Sequence, residues 1–442
     1  HLFFNGNGGV SVMKELTYSQ IDEVIYYEKQ ANGLDVYILP KKGFNKTFAT
    51  FTTKYGSVDN WFQPLGKDEL TKVPDGIAHF LEHKLFEKED GDVFQQFSKQ
   101  GASANAFTSF TRTAYLFSCT SNFNENLTTL LDFVQEPYFT EQTVEKEKGI
   151  IGQEITMYDD NPDWRLYFGT IANMYSVHPV RIDIAGTIDS IAPITKDMLY
   201  ECYETFYHPS NMLLFIVGAV NPEKTMELVR TNQLSKDYTN APEIKRESEH
   251  EPEEVYKKKE VLPMNVQTSK VLVGLKANAL GNKGIAMLKS EMTNNILLDM
   301  LFGKSSKMYD DLYSAGLIDS TFSYDYTEES DFGFAMVGGD TSDPDTLSDK
   351  IVSYLIEMKN GNEMTEEVLN RTKKKKIGAF LRSLNSLEYI ANSFTRYAFH
   401  DTSLFEIVPV LEDITLADVQ KAATTLIDEK RITICQVIPK TQ

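Results

Sequence analysis

Two 25-residue segments, far apart in the chain, follow one plan without a gap: ITKDMLYECYETFYHPSNMLLFIVG from Ile194, and ITLADVQKAATTLIDEKRITICQVI from Ile414. Each reads as a threonine-capped helix, a short turn and an apolar strand. Thr195 aligns with Thr415, Phe206 with Leu426 and Met212 with Ile432. The match predicts two copies of one architecture; two unrelated helix–strand units are the alternative. A chain of 442 residues has room for two or three domains of about 150 residues each. Between the copies, KRESEHEPEEVYKKKE at 245–260 mixes charges around a proline and reads as a solvated linker. The expected division is an N-terminal domain over 13–236, a charged linker over 237–261 and a C-terminal domain over 262–442. GLDVYILPK and KTFATFTTKYG read as strands joined by a turn, as do the two parts of SANAFTSFTRTAYLFSC and of FSYDYTEESDFGFAMVGG. Helical stretches are expected at 124–135, 140–158 and 365–398. The predicted fold class is α+β: two similar halves, each a mainly antiparallel sheet with helices packed on it.

Composition narrows the function. The net charge of −20 argues against nucleic acid and anionic membrane as partners. The longest apolar run, MLLFIVGAV at 212–220, is too short to span a bilayer. Residues 1–12 lack the basic start and apolar core of a signal peptide and are set aside as an appended leader. Cys119, Cys202 and Cys435 are scattered, without metal-ligand spacing, and are expected to be buried, reduced thiols of a cytoplasmic protein. KKKK at 373–376 is expected on an exposed helix face.

The densest cluster of chemistry is GIAHFLEHKLFE at 76–87, which holds two of the seven histidines. With no proline and with Asp75 available as a cap, the stretch predicts a helix. At about 100° per residue, His79 and His83 lie about 40° apart on one face, one turn from each other. Glu82 lies about 60° beyond His79, in reach of a water at a metal without binding the metal itself. The order H-x-x-E-H is the inverzincin pattern. Two core histidines near a glutamate are the bland alternative. Ile77, Leu81 and Leu85 form an opposite aliphatic stripe; Lys84 falls near it, with snorkelling as its account.

A catalytic zinc needs three protein ligands and one open position. TEQTVEKEKGIIGQEITMYDDNP from Thr140 predicts a helix with Val144, Ile151, Ile155 and Tyr158 on its apolar face. Glu147 and Glu154, seven apart, share one line at the edge of that face, whereas Glu145 points to solvent. The pair suits one ligand and one carboxylate that orients a histidine, or is simply two surface glutamates.

These motifs together resemble the M16 peptidase family, the group of pitrilysin, insulin-degrading enzyme and the mitochondrial processing peptidase, and in particular its M16B subfamily and bacillus-type members. In that family H-x-x-E-H is followed some seventy to eighty residues later by E-x6-E, whose second glutamate binds zinc. EKGIIGQE supplies it here, with Glu154 at 71 positions after His83. GASANAFTSFTRTAY resembles the strand that holds the substrate backbone, and YSVHPVRIDIAGT from Tyr175 the segment after the ligand helix. The resemblance implies the fold of the mitochondrial processing peptidase and one Zn2+ per chain on His79, His83 and Glu154. It implies Glu82 as general base and Glu147 as the acid that orients a histidine. Asn105, Ala106 and Phe107 would lie beside an extended peptide substrate, and two halves closing on each other would favour short unfolded peptides.

The second half carries no H-x-x-E-H; DMLFG at 299–303 stands at the same offset. Many members also carry an Arg and a Tyr that grip the substrate. Here those positions fall near Tyr313 and on Asp319, and the grip is missing unless Lys307 or Arg396 replaces it. The departure implies a second chain, either a related M16 chain in a heterodimer or a second copy in a homodimer. Two other classes stay open: a catalytically weak peptide-binding or assembly subunit, and a non-proteolytic metallohydrolase on the same scaffold.

Overall fold

The computed structural model describes residues 3–4, 10–361 and 364–441; most of the leader set aside above lies outside them. The chain forms two compact units. One comprises the chain up to Ile155 with Asp183–Ser248 and Ser383–Phe399; the other comprises Thr156–Ile182, Glu249–Arg382 and His400–Gln442.

In the first unit the strands are β1 (Lys14–Tyr18), β2 (Glu23–Lys29), β3 (Asp35–Pro40), β4 (Thr47–Thr53), β5 (Ser103–Thr108), β6 (Thr113–Cys119) and β7 (Met212–Gly218). They form one sheet in the order β5-β6-β4-β7-β3-β2-β1, antiparallel except for β7 beside β3. In the second unit β8 (Lys259–Met264), β9 (Ser269–Lys276), β10 (Ser323–Glu328), β11 (Gly333–Thr341) and β12 (Ile432–Pro439) take the order β8-β12-β9-β11-β10. Among the described residues the only parallel pair there is β8 with β12. Reading β5-β6-β4-β7-β3 against β10-β11-β9-β12-β8 gives the same path twice, with the parallel pair in the same place. The α+β fold class is as expected, and the gapless segments explain why. Thr195 Oγ1 accepts the Met198 N–H at 3.2 Å, and Thr415 Oγ1 accepts the Asp418 N–H at 3.1 Å. The helices they cap, Lys196–Phe206 and Leu416–Leu426, then lead through 3-10 turns into β7 and β12.

Three local expectations change. GLDVYILPK and KTFATFTTKYG are strands, but they do not pair with each other: β7 lies between β3 and β4. Every residue of β7 is buried, so this apolar run is most stable inside the sheet. The helical stretch 365–398 breaks into Glu366–Ser383 and Leu387–Ala398, where Ser386 Oγ accepts the Tyr389 N–H at 3.2 Å and starts a new helix. The charged segment is not simply solvated. Arg246 Nε donates to Asp59 at 2.8 Å, and Glu251 accepts the backbone N–H groups of Val177 and His178 at 2.8 and 3.0 Å.

Each sheet is covered by a helix drawn from the sequence of the other half. Leu387–Ala398 packs on β4 and β7, with Phe394 4.8 Å from Phe215 and 4.9 Å from Tyr37 between ring centroids. Pro162–Met174 packs on β9 and β12. Two glycines permit that approach: a Cβ on Gly274 would lie 2.7 Å from Thr170 Cγ2, and one on Gly169 would lie 3.2 Å from Cys435 Sγ.

Candidate metal centre

The H-x-x-E-H helix, α1, spans Ile77–Leu85. On the sheet it packs against β5 and β6. Ile77, Leu81 and Leu85 are buried, as the aliphatic stripe requires. Asp75 does not cap it. Gly76 takes the cap position at φ +90°, with no side-chain cap bond, and the Asp75 carboxylate accepts from Asn60 Nδ2 at 3.2 Å instead. Gly76 is needed there because a Cβ would lie 2.3 Å from Ala185 O.

The two imidazoles meet as the helical spacing predicts, with His79 Nε2 and His83 Nε2 3.1 Å apart. Glu154, on the helix Glu141–Asp159, brings Oε1 to 3.7 Å from His79 Nε2 and Oε2 to 3.4 Å from His83 Nε2. Glu147, on the same helix, accepts or shares a proton with His83 Nδ1 at 3.0 Å. Glu145 is exposed and pairs with Lys148, and Val144, Ile151 and Ile155 are buried beneath; Tyr158 is half-buried.

Glu82 is also close. One ligand atom each of His79, Glu82 and His83 falls within 4.8 Å of the others. Two carboxylates therefore border the histidine pair, Glu82 from α1 and Glu154 from the facing helix. Thr108 Oγ1, at the end of β5, donates to Glu82 Oε2 at 3.1 Å.

The electrostatics follow from burial. Burial, then the adjacent His83, pushes His79 down to about 3 and keeps it neutral. Burial pushes Glu82 up to about 7, against the opposing pull of His83 and the Thr108 hydroxyl. Burial works to lower His83 as well, but the Glu147 hydrogen bond and the surrounding carboxylates outweigh it and hold His83 above its ordinary value.

The donor set fits a divalent cation of zinc's preferences. Two imidazole Nε2 atoms and a carboxylate converge on one volume, and their facing lone pairs repel unless a cation or a shared proton lies between them. The Glu147 contact to Nδ1 leaves the Nε2 lone pair of His83 directed at that volume. His79 Nδ1 is buried without a protein hydrogen-bond partner, so its orientation rests on packing.

Two participants were not assigned from sequence. Thr108 left no signal, since its contact to Glu82 spans two elements. Lys84 did leave one, as a lysine on an apolar helix face. It is fully buried, not snorkelling, and its Nζ lies 2.5 Å from Glu87 and 4.0 Å from Glu147.

Asn105, Ala106 and Phe107 lie on β5, the edge strand, which pairs only with β6 among the described residues. Asn105 is exposed and the other two are half-buried; Asn105 Oδ1 accepts the Ala106 N–H at 2.8 Å. In the second unit Tyr313 is exposed and stacks on Tyr309, and the Asp319 carboxylate accepts from Thr321 N and Oγ1 at 2.8 and 2.6 Å. Lys307 begins the helix Lys307–Ser314 of the second unit, whereas Arg396 lies in the first, its guanidinium over the Tyr397 ring. The KKKK run is more engaged than expected: Lys373 donates to Glu412 O and Ile414 O, and Lys375 to Asp299.

The sequence profile described as "Insulinase (Peptidase family M16)" matches residues 69–188, and the one described as "Peptidase M16 inactive domain" matches 193–376. An uncharacterized zinc protease of Bacillus subtilis, YmfH, is 65% identical over 97% of this chain and 100% of its own length. The zinc protease PqqE of Helicobacter pylori is 26% identical, covering 83% of this chain and 81% of its own. The crystal structure of an M16-like peptidase from Alicyclobacillus acidocaldarius superposes with a TM-score of 0.91 at 38% identity, over 95% of this chain and 99% of that one. The inverted histidine motif, the facing glutamate helix, the doubled sheet and these relatives agree, and the chain belongs to peptidase family M16.

Proposed function

We propose that this protein is a zinc-dependent endopeptidase acting on short, unfolded peptides. The observation that carries the reading is the convergence of His79 Nε2, His83 Nε2 and the Glu154 carboxylate beside a separate buried acid, Glu82. His79, His83 and Glu154 would hold one Zn2+ per chain. Bound there, the ion supplies Lewis acidity, lowering the pKa of water towards neutrality and polarising a carbonyl.

The remaining work falls to the chain. Glu82 takes a proton from water and returns it to the leaving nitrogen; its burial, which favours the protonated form, makes it a stronger base once ionised. Thr108 holds the Glu82 carboxylate towards β5. The open edge of β5 suits an extended peptide that adds as a further strand, bound mainly through its backbone, so side-chain preference should be broad. Asn105 Oδ1 must release the Ala106 N–H if a peptide is to take that amide. A purely peptide-binding role leaves the buried Glu82 without a purpose.

A related M16 chain or a second copy would complete the substrate grip, a reading supported by the residues at Tyr313 and Asp319. The three buried free thiols fit a reducing compartment, and we place the protein in the cytoplasm. Among the described residues no helix is long and apolar enough to cross a membrane.

The test is cleavage of a random peptide library by zinc-loaded protein, with Glu82→Gln as control. The glutamine variant should keep its zinc and lose about 10²–10⁴ in rate. Equal turnover by the zinc-replete variant would remove Glu82 from the role of base.

A further inference from the structure

We infer that Lys84 is a positioning residue for the metal centre, acting through Glu147 on His83; the inference rests on the zinc-site reading above. Glu147 divides its two oxygens. Oε1 contacts His83 Nδ1 at 3.0 Å, and Oε2 faces Lys84 Nζ at 4.0 Å. The longer distance is a charge contact and not a hydrogen bond. Lys84 is adjacent to His83 in sequence, yet it points into the protein, with 1% of its side chain exposed. Burying an ammonium is costly unless acids face it. The acids that face Lys84 are Glu87 and Glu147, and they differ. The Glu87 side chain is 39% exposed, so water screens its contact, whereas that of Glu147 is 11% exposed.

Charge balance gives the lysine its purpose. Glu82, Glu147 and Glu154 all border the histidine pair, and a dication alone leaves an excess of acidic groups there. The Lys84 ammonium offsets it. By facing Oε2 it also holds Glu147 with Oε1 turned to the His83 Nδ1 hydrogen bond. That bond fixes the ring tautomer with Nε2 open to the metal. Removing Lys84 leaves Glu147 Oε2 without its buried partner and the carboxylate free to turn away from His83.

The test is zinc affinity, read by competition with a chromophoric chelator on the full chain. It uses wild type, Lys84→Met, Glu147→Gln, the double variant and Glu87→Gln, with the melting of each metal-free protein recorded. Loss of a partner behind a metal ligand commonly costs about 10–100-fold in affinity. Lys84→Met should weaken zinc binding by about tenfold or more, and should add little in the Glu147→Gln background, because the two act through one path. Glu87→Gln, which sits at the surface and is expected to fold normally, should bind zinc as tightly as wild type. Unchanged affinity in Lys84→Met, additive losses in the double variant, or a loss in Glu87→Gln would each overturn the inference. Absence of zinc binding by wild type would instead overturn the metal-site reading on which it rests.

Discussion

Thr108 Oγ1 donates to Glu82 Oε2 at 3.1 Å, and this bond joins the edge strand of the first sheet to the acid on the metal helix. The strand that would receive a peptide thus also aims the proposed base. Thr108→Val keeps the shape and removes the donor. One oxygen of a buried carboxylate then loses its partner, a cost of about 1–3 kcal/mol to the anion. Turnover should fall by about tenfold or more with zinc content unchanged. Steady-state cleavage of a fluorogenic peptide, with metal analysis of the same sample, checks it; full turnover would show that Glu82 needs no such support.

Glu154 stands 3.4 and 3.7 Å from the two Nε2 atoms, on a helix separate from theirs. Glu154→Gln removes the charge and leaves the fold alone, since this half-buried side chain lies outside the helix core. Zinc per chain, measured by atomic emission after dialysis, should drop well below one. If the stoichiometry holds, Glu82 must be the acid ligand, and the roles of the two carboxylates exchange.

How much of this was legible beforehand depends on how local each feature is. His79, Glu82 and His83 share one helix, so their adjacency follows from helical geometry, and Glu147 and Glu154 follow from the same rule. The edge position of β5 and the insertion of β7 between β3 and β4 are set by pairings between distant segments, which residue patterns do not encode. The exchange of Leu387–Ala398 and Pro162–Met174 between the sheets was hidden for the same reason; only Gly169 and Gly274 hint at it, and neither is distinctive alone. Gly76 displaced Asp75 as the helix start because of a chain crossing at Ala185, over a hundred residues away. Lys84 was visible as an anomaly on an apolar face but became interpretable only with Glu147 beside it.

In the second unit, Glu251 ties β9 to the segment after Pro162–Met174. It accepts from Ser176, Val177 and His178 N–H groups and from Lys276 Nζ at 3.0 Å. Burial acts to raise the Glu251 carboxyl, but the His178 and Val177 amides and the Lys276 ammonium outweigh it and hold it below the ordinary carboxylate value. A depressed folded-state pKa gives stability that is complete above the ordinary value and is lost as pH falls through the depressed one. Glu251→Gln leaves Lys276, 3% exposed, without its counter-charge and should destabilise this unit by about 3 kcal/mol at neutral pH. The gap to wild type should close below about pH 4. Denaturant melts across pH measure it; a gap that is constant with pH would mean that the carboxylate charge contributes nothing.

Full activity should require a second chain. The first unit gathers groups able to activate water, whereas the second unit has Tyr313 and Asp319 near the positions where the family resemblance implies an arginine and a tyrosine that grip substrate. Tyr313 is exposed and stacks on Tyr309, and Asp319 Oδ1 accepts both the N–H and the hydroxyl of Thr321. Holding reactants in place contributes heavily to such reactions, about 7–11 kcal/mol in the best-oriented cases, so a chain that activates water without fixing the peptide should be slow and bind substrate weakly. A related chain carrying the grip would supply what is missing, and a second copy is the next choice. Lys307 and Arg396 are the residues of this chain that could substitute instead. Cleavage per bound zinc, assayed over rising protein concentration with sedimentation on the same samples, separates these cases. Activity that climbs with dimer formation, or on addition of a related chain, supports a shared site. Activity independent of concentration in a proven monomer, lost on Lys307→Ala or Arg396→Ala with zinc content intact, would assign the grip to this chain alone.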